Sequence, residues 1–262
     1  MVKSIYTPLS GALAQEKVLE ILANNLANMN TTGFKGDQVT FKLLEAEPNK
    51  NYHDPLPPAN YKISLDDVMP LHGNENAYVG VSGVSRDLSQ GPAVQTNNPL
   101  DLMIESDGYF QIQTPEGTRY TRNGSFSLSS DGALMTKAGH PVLGEKGDIF
   151  VRSGAFQVNH LGEIYQDGEL IDRLSIYKFD KDESLERVGD NYFFFGGDPS
   201  EAKRIAMPSV SQGSLEGSNV NAIKNLTAMI LTHRSYEAYQ KAISNYDQMM
   251  EKSSNTIGEV RA

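Results

Sequence analysis

The chain has 262 residues and no cysteine. That length is enough for one or two hydrophobic cores, and the missing cysteine excludes a disulfide framework, a thiolate metal site and a cysteine nucleophile. The formal net charge of −10 argues against nucleic acid and an anionic membrane surface as partners, because both favour clustered Lys and Arg. No run approaches the ~18 apolar residues of a membrane span, and no continuous apolar block predicts a cleaved signal peptide.

The N-terminal segment predicts an amphipathic helix over residues 8–29, with a start a few residues earlier as the alternative. Thr7 is the expected N-cap, with Pro8 at the first helical position. Gly33 follows as a stop signal, since glycine readily takes the left-handed conformation just past a helix. The apolar residues keep the seven-residue spacing of a coiled coil. They are Ile5, Ala12, Leu19 and Leu26, with Leu22 and Met29 in a second seam.

Three asparagines near the end of this helix conflict with it, because asparagine is a mediocre helix former. They are Asn24, Asn25 and Asn28. Two interpretations stay open. Either the last turn frays and its amides are solvated, or the amides bond to neighbouring chains and set the register, as a polar seam residue does in coiled coils.

A second long helix is predicted over residues 222–252, after several cap candidates in 218–221. Its apolar residues also recur every seven positions. They are Ala222, Met229, Tyr236, Ile243 and Met250, accompanied by Thr232, Tyr239 and Tyr246. Ile223, Leu226 and Ile230 widen the stripe, which predicts that the start of the helix is more buried than its end. Residues 253–262 are expected to form a frayed tail.

The fold class predicted is α+β: terminal helices 1–34 and 218–262 pair into one domain, residues 35–97 form an extended connector, and residues 98–217 form an all-β domain. The connector contains a proline-rich stretch at 48–58. In the β domain, period-two alternation and frequent turn signals predict about ten short strands. Asn123-Gly124 is the preferred dipeptide of a two-residue hairpin.

The sequence does not favour an enzyme. The five histidines show no metal-site spacing, and the nucleophile-elbow, P-loop and dinucleotide motifs are missing. We therefore expect no catalytic residue, no cofactor and no metal, although a hydrolase with two carboxylates in one cleft stays open. A non-catalytic β binding module with a helical stalk is the other alternative. Its groove would be lined by the aromatic side chains of Tyr109, Phe110, Tyr120 and Phe126. The alternation along the strands assigns about half of these four side chains to the core.

Several short motifs occur along the chain in a fixed order. At the N-terminus these are A-N-N-L-A-N at 23–28 and T-T-G-F-K at 31–35. The central ones are N-P-L-D-L-M-I-E-S-D-G-Y-F at 98–110 and Y-T-R-N-G-S-F at 120–126, and L-E-G-S-N-V-N at 215–221 precedes the last helix. Together these motifs resemble the bacterial flagellar rod and hook proteins. The motifs at 5–14 and 139–145 resemble the proximal-rod branch most, with the distal-rod branch next and the hook a further alternative.

The resemblance implies a structural subunit that polymerises helically through its terminal helices, surrounds the export channel and transmits torque. Its partners would be copies of itself, neighbouring rod proteins and, during secretion, the flagellar type III export apparatus. Its location would be the basal-body rod in the periplasmic space, reached without a cleaved signal peptide. The assembly interface is expected to comprise seam and turn residues: Leu19, Leu22, Asn24, Asn25, Leu26, Asn28, Gly33, Phe34, Asn219, Val220, Asn221, Met229, Tyr236 and Ile243.

Overall fold

The computed structural model describes residues 5–45, 77–151, 156–179, 185–189 and 191–259. The proline-rich stretch at 48–58 lies outside these residues. The described residues comprise two helices, α1 (Tyr6–Ala27) and α2 (Ala222–Glu259), with strands between them. The predicted α+β class, with helices at both termini and a large central β region, is confirmed.

The strands are short, and most have three to six residues. They are β1 (Asp37–Glu45), β2 (Ala77–Arg86), β3 (Ala93–Gln95), β4 (Leu102–Ile104), β5 (Tyr109–Thr114), β6 (Gly117–Thr121), β7 (Phe126–Leu128), β8 (Leu134–Thr136), β9 (Leu143–Gly144), β10 (Gly147–Asp148), β11 (Phe156–Val158), β12 (Glu163–Gln166), β13 (Glu169–Arg173), β14 (Ile176–Phe179), β15 (Leu185–Arg187), β16 (Tyr192–Phe195), β17 (Ala202–Arg204), β18 (Val210–Gln212) and β19 (Ser214–Glu216).

The contacts divide the chain into two compact units. The first contains the described parts of Met1–Asn24, Asp37–Ser85 and Ile223–Ala262, and the second contains Asn25–Gly36 and the described parts of Arg86–Ala222. The region predicted as a connector contributes β1 and β2, which pair in a two-stranded sheet. It also contributes β3, which pairs with β19 in the second unit.

Helix α1 starts at Tyr6, two residues before the predicted start. Thr7 and Pro8 therefore lie in the first turn, so Thr7 is not the N-cap. Pro8 has no backbone N–H, but this costs no helical hydrogen bond, because N–H groups in the first turn have no partner within the helix. Its carbonyl accepts a 2.9 Å hydrogen bond from the Ser10 hydroxyl. Gly33 takes the predicted left-handed conformation, with φ +68°.

Helix α2 continues to Glu259, so the predicted boundary at residue 252 was wrong. Its seven-residue seam is half-buried as far as Tyr246. The expected burial of the first turns was wrong, because Ile223, Leu226 and Ile230 are 79%, 44% and 55% exposed. Ile223 and Ile230 each follow a seam residue by one position, so they point about 100° away from the seam.

The two helices approach each other at Gly11 and Tyr239 in the first unit. A Cβ added at Gly11 would lie 2.6 Å from two ring carbons of Tyr239. The ring therefore packs directly against the backbone of α1, and the absence of a side chain at position 11 permits this approach.

The second unit is built around a six-stranded antiparallel sheet in the order β15-β16-β6-β5-β14-β17. A tight hairpin joins β5 to β6, with Thr114 opposite Gly117. The sheet β11-β12-β13 and several two-stranded ladders complete the unit.

The predicted hairpin at Asn123-Gly124 was wrong. Strand β6 pairs with β5 and β16, and β7 pairs with β8. Gly124 instead lies against Leu102, whose N–H donates to its carbonyl at 3.0 Å. An added Cβ at Gly124 would lie 1.6 Å from the Leu102 carbonyl oxygen, so close backbone approach explains this glycine.

Two hydrophobic clusters fill the second unit. The larger includes Phe110 and Phe126, whose rings pack edge to face at 5.1 Å. The smaller consists of Tyr109, Tyr120, Phe179, Leu185 and Phe193. All four aromatic residues proposed for a binding groove are therefore core residues, and not about half of them as alternation suggested.

Candidate assembly site

The loop Thr31–Lys35, which follows α1, is embedded in the second unit. The Gly33 N–H donates to the Glu216 carbonyl at 2.8 Å, and the Thr32 hydroxyl donates to Asn123 Oδ1 at 2.8 Å. These bonds bring together three motifs that lie far apart in the chain: T-T-G-F-K, T-R-N-G and L-E-G-S-N. We refer to this meeting of segments 31–36, 122–123 and 215–220 as the junction.

Gly33 fits the junction for two reasons. Its φ of +68° is strained for residues with a side chain. In addition, a Cβ there would lie 2.6 Å from the Asn123 backbone nitrogen and 2.7 Å from the Arg122 carbonyl carbon. The glycine that the sequence identified as a helix stop signal is also a packing requirement.

Phe34 is only 2% exposed. The Arg187 guanidinium lies 4.4 Å from the centre of its ring, and Arg187 Nη2 also donates to the Lys35 carbonyl at 2.8 Å. A cation over an aromatic face is attracted by the ring quadrupole. Phe34 is therefore held by contacts inside its own chain.

A buried group of three charges occupies the centre of the junction. Lys35 Nζ lies 2.5 Å from Glu216 Oε1, and Arg122 Nη1 lies 3.3 Å from Glu216 Oε2. The three side chains are at most 5% exposed. We call Lys35, Arg122 and Glu216 the ion triad.

Further hydrogen bonds tie the ion triad to the backbone. Lys35 Nζ donates to the Ser89 carbonyl at 2.7 Å, and the Gly91 N–H donates to Glu216 Oε1 at 3.0 Å. Arg122 Nη1 donates to the Ser106 carbonyl at 3.0 Å. Burial lowers the pKa of the Lys35 ammonium below its usual value, and the hydrogen bond and charge of Glu216 oppose that shift.

Asn219 joins the segments that follow α1 and precede α2. Its Oδ1 accepts the Gly36 N–H at 2.8 Å, and its Nδ2 donates to the Asp87 carbonyl at 2.8 Å. Val220 is half-buried and Asn221 is exposed. A Cβ at Gly36 would lie 3.2 Å from Val220 Cγ2, so this side chain packs on the loop backbone.

The asparagines of the A-N-N-L-A-N motif differ in burial. Asn24 is exposed, Asn25 is 5% exposed and Asn28 is half-buried. The Thr31 hydroxyl donates to Asn28 Oδ1 at 3.2 Å. Asn25 is therefore not a solvated amide of a frayed turn, while its predicted contact with other chains stays a prediction.

The predicted seam residues are half-buried in the single chain: Leu19, Leu22, Leu26, Met229, Tyr236 and Ile243. Other apolar side chains on the helices face solvent. They include Leu13, Ile223, Ile230 and Leu231, each more than half exposed. The helices thus retain apolar surface that the described residues do not cover.

The ion triad was not predicted from the sequence. Lys35, Arg122 and Glu216 all lie inside the quoted motifs, and Lys35 and Glu216 are charged residues between an apolar residue and a glycine. That pattern is a signal for a buried ion pair, but it does not indicate which charges meet.

The part of the chain that the structure describes contains no group of three His, Asp or Glu residues arranged to hold a metal ion. His233, on α2, is exposed and lies 3.3 Å from Glu237, one helical turn away. Among the described residues, no helix is long and apolar enough to cross a membrane.

Three family models match successive parts of the chain. Residues 5–35 match the model described as flagella basal body rod protein. Residues 103–149 match the flagellar hook protein FlgE/F/G D1 domain, and residues 211–256 match the flagellar basal body rod FlgEFG protein C-terminal model. The first and third contain parts of the junction and the terminal helices.

Full-length relatives agree with these matches. The chain is 30% identical to the flagellar basal-body rod protein FlgF of Caulobacter vibrioides, over 99% of this chain and 100% of that protein. It is 32% identical to FlgG of the same bacterium, over 96% and 98% of the two chains. It is 29% identical to FlgG of Bacillus subtilis, over 97% and 99%.

Proposed function

Because the chain belongs to the flagellar basal-body rod protein family, we propose that it is a structural subunit of the bacterial flagellar rod. The observation that carries the proposal is end-to-end similarity to rod proteins of two kinds, FlgF and FlgG. In this role the chain assembles with other rod components and has no catalytic activity.

The proposed assembly uses the terminal helices. Other copies of this chain and neighbouring rod proteins cover the half-buried seams and the exposed apolar residues of the helices. The helical stacking of these subunits encloses the export channel. The exposed fractions of Leu13, Ile223 and Ile230 support this, because covering apolar surface contributes roughly 25 cal/mol per Å². The expected contacts are made by the assembly-interface residues predicted from the sequence, of which Leu19 is the first in the chain and Ile243 the last.

The proposed branch is the FlgF type, expected in the proximal rod. The chain aligns with FlgF of Caulobacter vibrioides over 263 residues, close to its own 262. The alignment with FlgG of Bacillus subtilis extends over 276 residues, so it needs more gaps. Placement in the distal rod or hook is the alternative.

The proposed location is the periplasmic part of the basal body, reached through the flagellar type III export apparatus.

The alternative function, a β binding module, is not favoured. The four aromatic residues proposed to line its groove are buried in the hydrophobic clusters of the second unit.

Deletion of the gene in the source bacterium tests the proposal. We expect loss of swimming in soft agar, restoration by an epitope-tagged copy, and recovery of the tagged protein in purified basal bodies. Labelled basal bodies imaged by electron microscopy would then separate proximal from distal placement. A deletion strain that swims normally, or a tagged protein missing from basal bodies, would contradict the proposal.

A further inference from the structure

We propose that the ion triad Lys35–Glu216–Arg122 is a positioning device, which fixes the segment leaving α1 beside the segment entering α2 so that the subunit can assemble. The inference rests on the proposed rod function and extends it to residues outside the helices. It assigns to three buried charges a role in the geometry of assembly rather than in stability.

The ion triad joins the segment that follows α1 to the segment that precedes α2. Lys35 lies eight residues after the end of α1, and Glu216 lies six residues before the start of α2. Their side chains are bonded to each other, and the backbone N–H of Gly33 donates to the carbonyl of Glu216. The charge pair and the backbone bond therefore hold the same two segments side by side.

Directional hydrogen bonds hold both oxygens of the Glu216 carboxylate. The two oxygens of Glu216 accept from different partners, Oε1 from Lys35 and Gly91 and Oε2 from Arg122. Hydrogen bonds to a carboxylate are directional, whereas hydrophobic contact is not. The carboxylate consequently specifies one arrangement of three segments.

The energetic cost of burying the three charges favours a role in specificity. Removing charges from water is costly, and a buried ion pair is often no more stable than apolar residues of the same volume. The triad contains two cations and one anion, and Arg122 Nε has no hydrogen-bond partner among the described residues. Lys35 is harder to keep charged here than in water, as its lowered pKa indicates. Such a group is a poor source of stability, so specificity is the better account of it.

The ion triad is in contact with the packed core of the second unit. The Arg122 guanidinium lies 5.2 Å from the centre of the Tyr109 ring, and Tyr109 packs at 5.4 Å from Phe193 in the smaller hydrophobic cluster. The Arg187 guanidinium also holds the backbone beside Lys35, because it donates to the Lys35 carbonyl and lies over the Phe34 ring. The position of the triad is thus set by the core of the second unit.

The test uses a variant that removes all three charges: Lys35→Met, Arg122→Met and Glu216→Gln together. Glutamine keeps a carbonyl oxygen for the Gly91 N–H. We expect the purified full-length variant to melt within a few degrees of the native protein, yet to restore less than a tenth of native swimming in the deletion strain. The matched control is Glu145→Gln with Arg204→Met, which removes a partly exposed ion pair of the same unit and is expected to swim normally.

A second variant, Glu216→Asp, keeps the charge and withdraws the carboxylate by one methylene. It is expected to fold and to assemble at least threefold less efficiently than the native protein, measured as tagged subunit per basal body. Normal swimming and normal incorporation by the triple variant would overturn the inference. So would a triple variant that fails to fold, because the triad would then serve stability.

The two proposals fail in different ways. If the native protein is missing from basal bodies, the rod function itself is wrong. If the native protein is present and the charge-free variant is incorporated equally well, only the positioning role is wrong.

Discussion

Lys35 Nζ lies 2.5 Å from Glu216 Oε1, although 181 positions separate the two residues in the sequence. One follows α1 and the other precedes α2, so the contact joins the two ends of the chain's second unit. Around it lie Gly33, Phe34 and Asn219, which the sequence had predicted as assembly contacts. Their bonds within the chain indicate that they shape the junction, whatever contacts they make with neighbouring subunits.

Replacement of Gly33 by alanine tests the packing of the junction. We expect the free energy of unfolding to fall by about 2–4 kcal/mol, because Ala is strained at φ +68° and its Cβ would meet the Asn123 backbone at 2.6 Å. Urea denaturation of the full-length protein measures the change. The control is Gly139→Ala, also at positive φ but with no atom within 4 Å of the new Cβ, which should cost only about 1 kcal/mol. Equal losses in the two variants would contradict the steric argument.

Gly11 and Tyr239 test the pairing of the helices. Gly11→Ala gains about 1 kcal/mol of helix propensity, but overpacking against the Tyr239 ring costs about 1–3 kcal/mol. We therefore expect a lower melting temperature of the helical circular dichroism signal in the native background. In a Tyr239→Ala background the ring is absent, and the same substitution should raise the melting temperature. A stabilising effect in both backgrounds would show that the ring does not pack on α1.

The exposed face of α2 tests assembly separately from stability. Ile223→Gln with Ile230→Gln should leave monomer stability within about 0.5 kcal/mol, because the side chains are 79% and 55% exposed. Swimming and incorporation into basal bodies should nevertheless be lost, since the apolar surface offered to neighbours is removed. Ser244→Gln places the same side chain at another exposed position of α2 and should swim normally. Full swimming by the double variant would exclude this face from the rod interface.

The stability of the folded protein in acid should depend on Glu163. Hydrogen bonds from Arg173, Asn159 and Tyr165 hold the pKa of its carboxyl below the ordinary value of 4.5. A carboxyl with a lowered pKa stabilises the folded state above its unfolded pKa, and that contribution disappears as the pH falls through the folded pKa. The native protein should thus exceed Glu163→Gln in stability at pH 7, and the difference should shrink below about pH 4.5. Denaturation curves from pH 7 to pH 3 provide the measurement, and a difference that stays constant would contradict the prediction.

Much of the organisation was predictable because it depends on local patterns. Seven-residue apolar spacing identified both helices, and period-two alternation identified the central β region. Helix ends were less predictable. α2 extends to Glu259 because helix propagation continues through a segment without proline, even where the apolar periodicity has ended.

The sequence by itself determined the α+β class, the two amphipathic helices, the left-handed glycine at position 33 and the family motifs, because each depends on neighbouring residues or on residue identity. Only the tertiary structure decided which charges meet at the junction. It also decided that Gly124 serves a close backbone approach instead of a hairpin, and that all four candidate groove aromatics are buried. The physical reason is that a buried ion pair or a backbone contact is specified by distance in space, and separations such as the 181 positions between Lys35 and Glu216 leave no periodic trace in the chain.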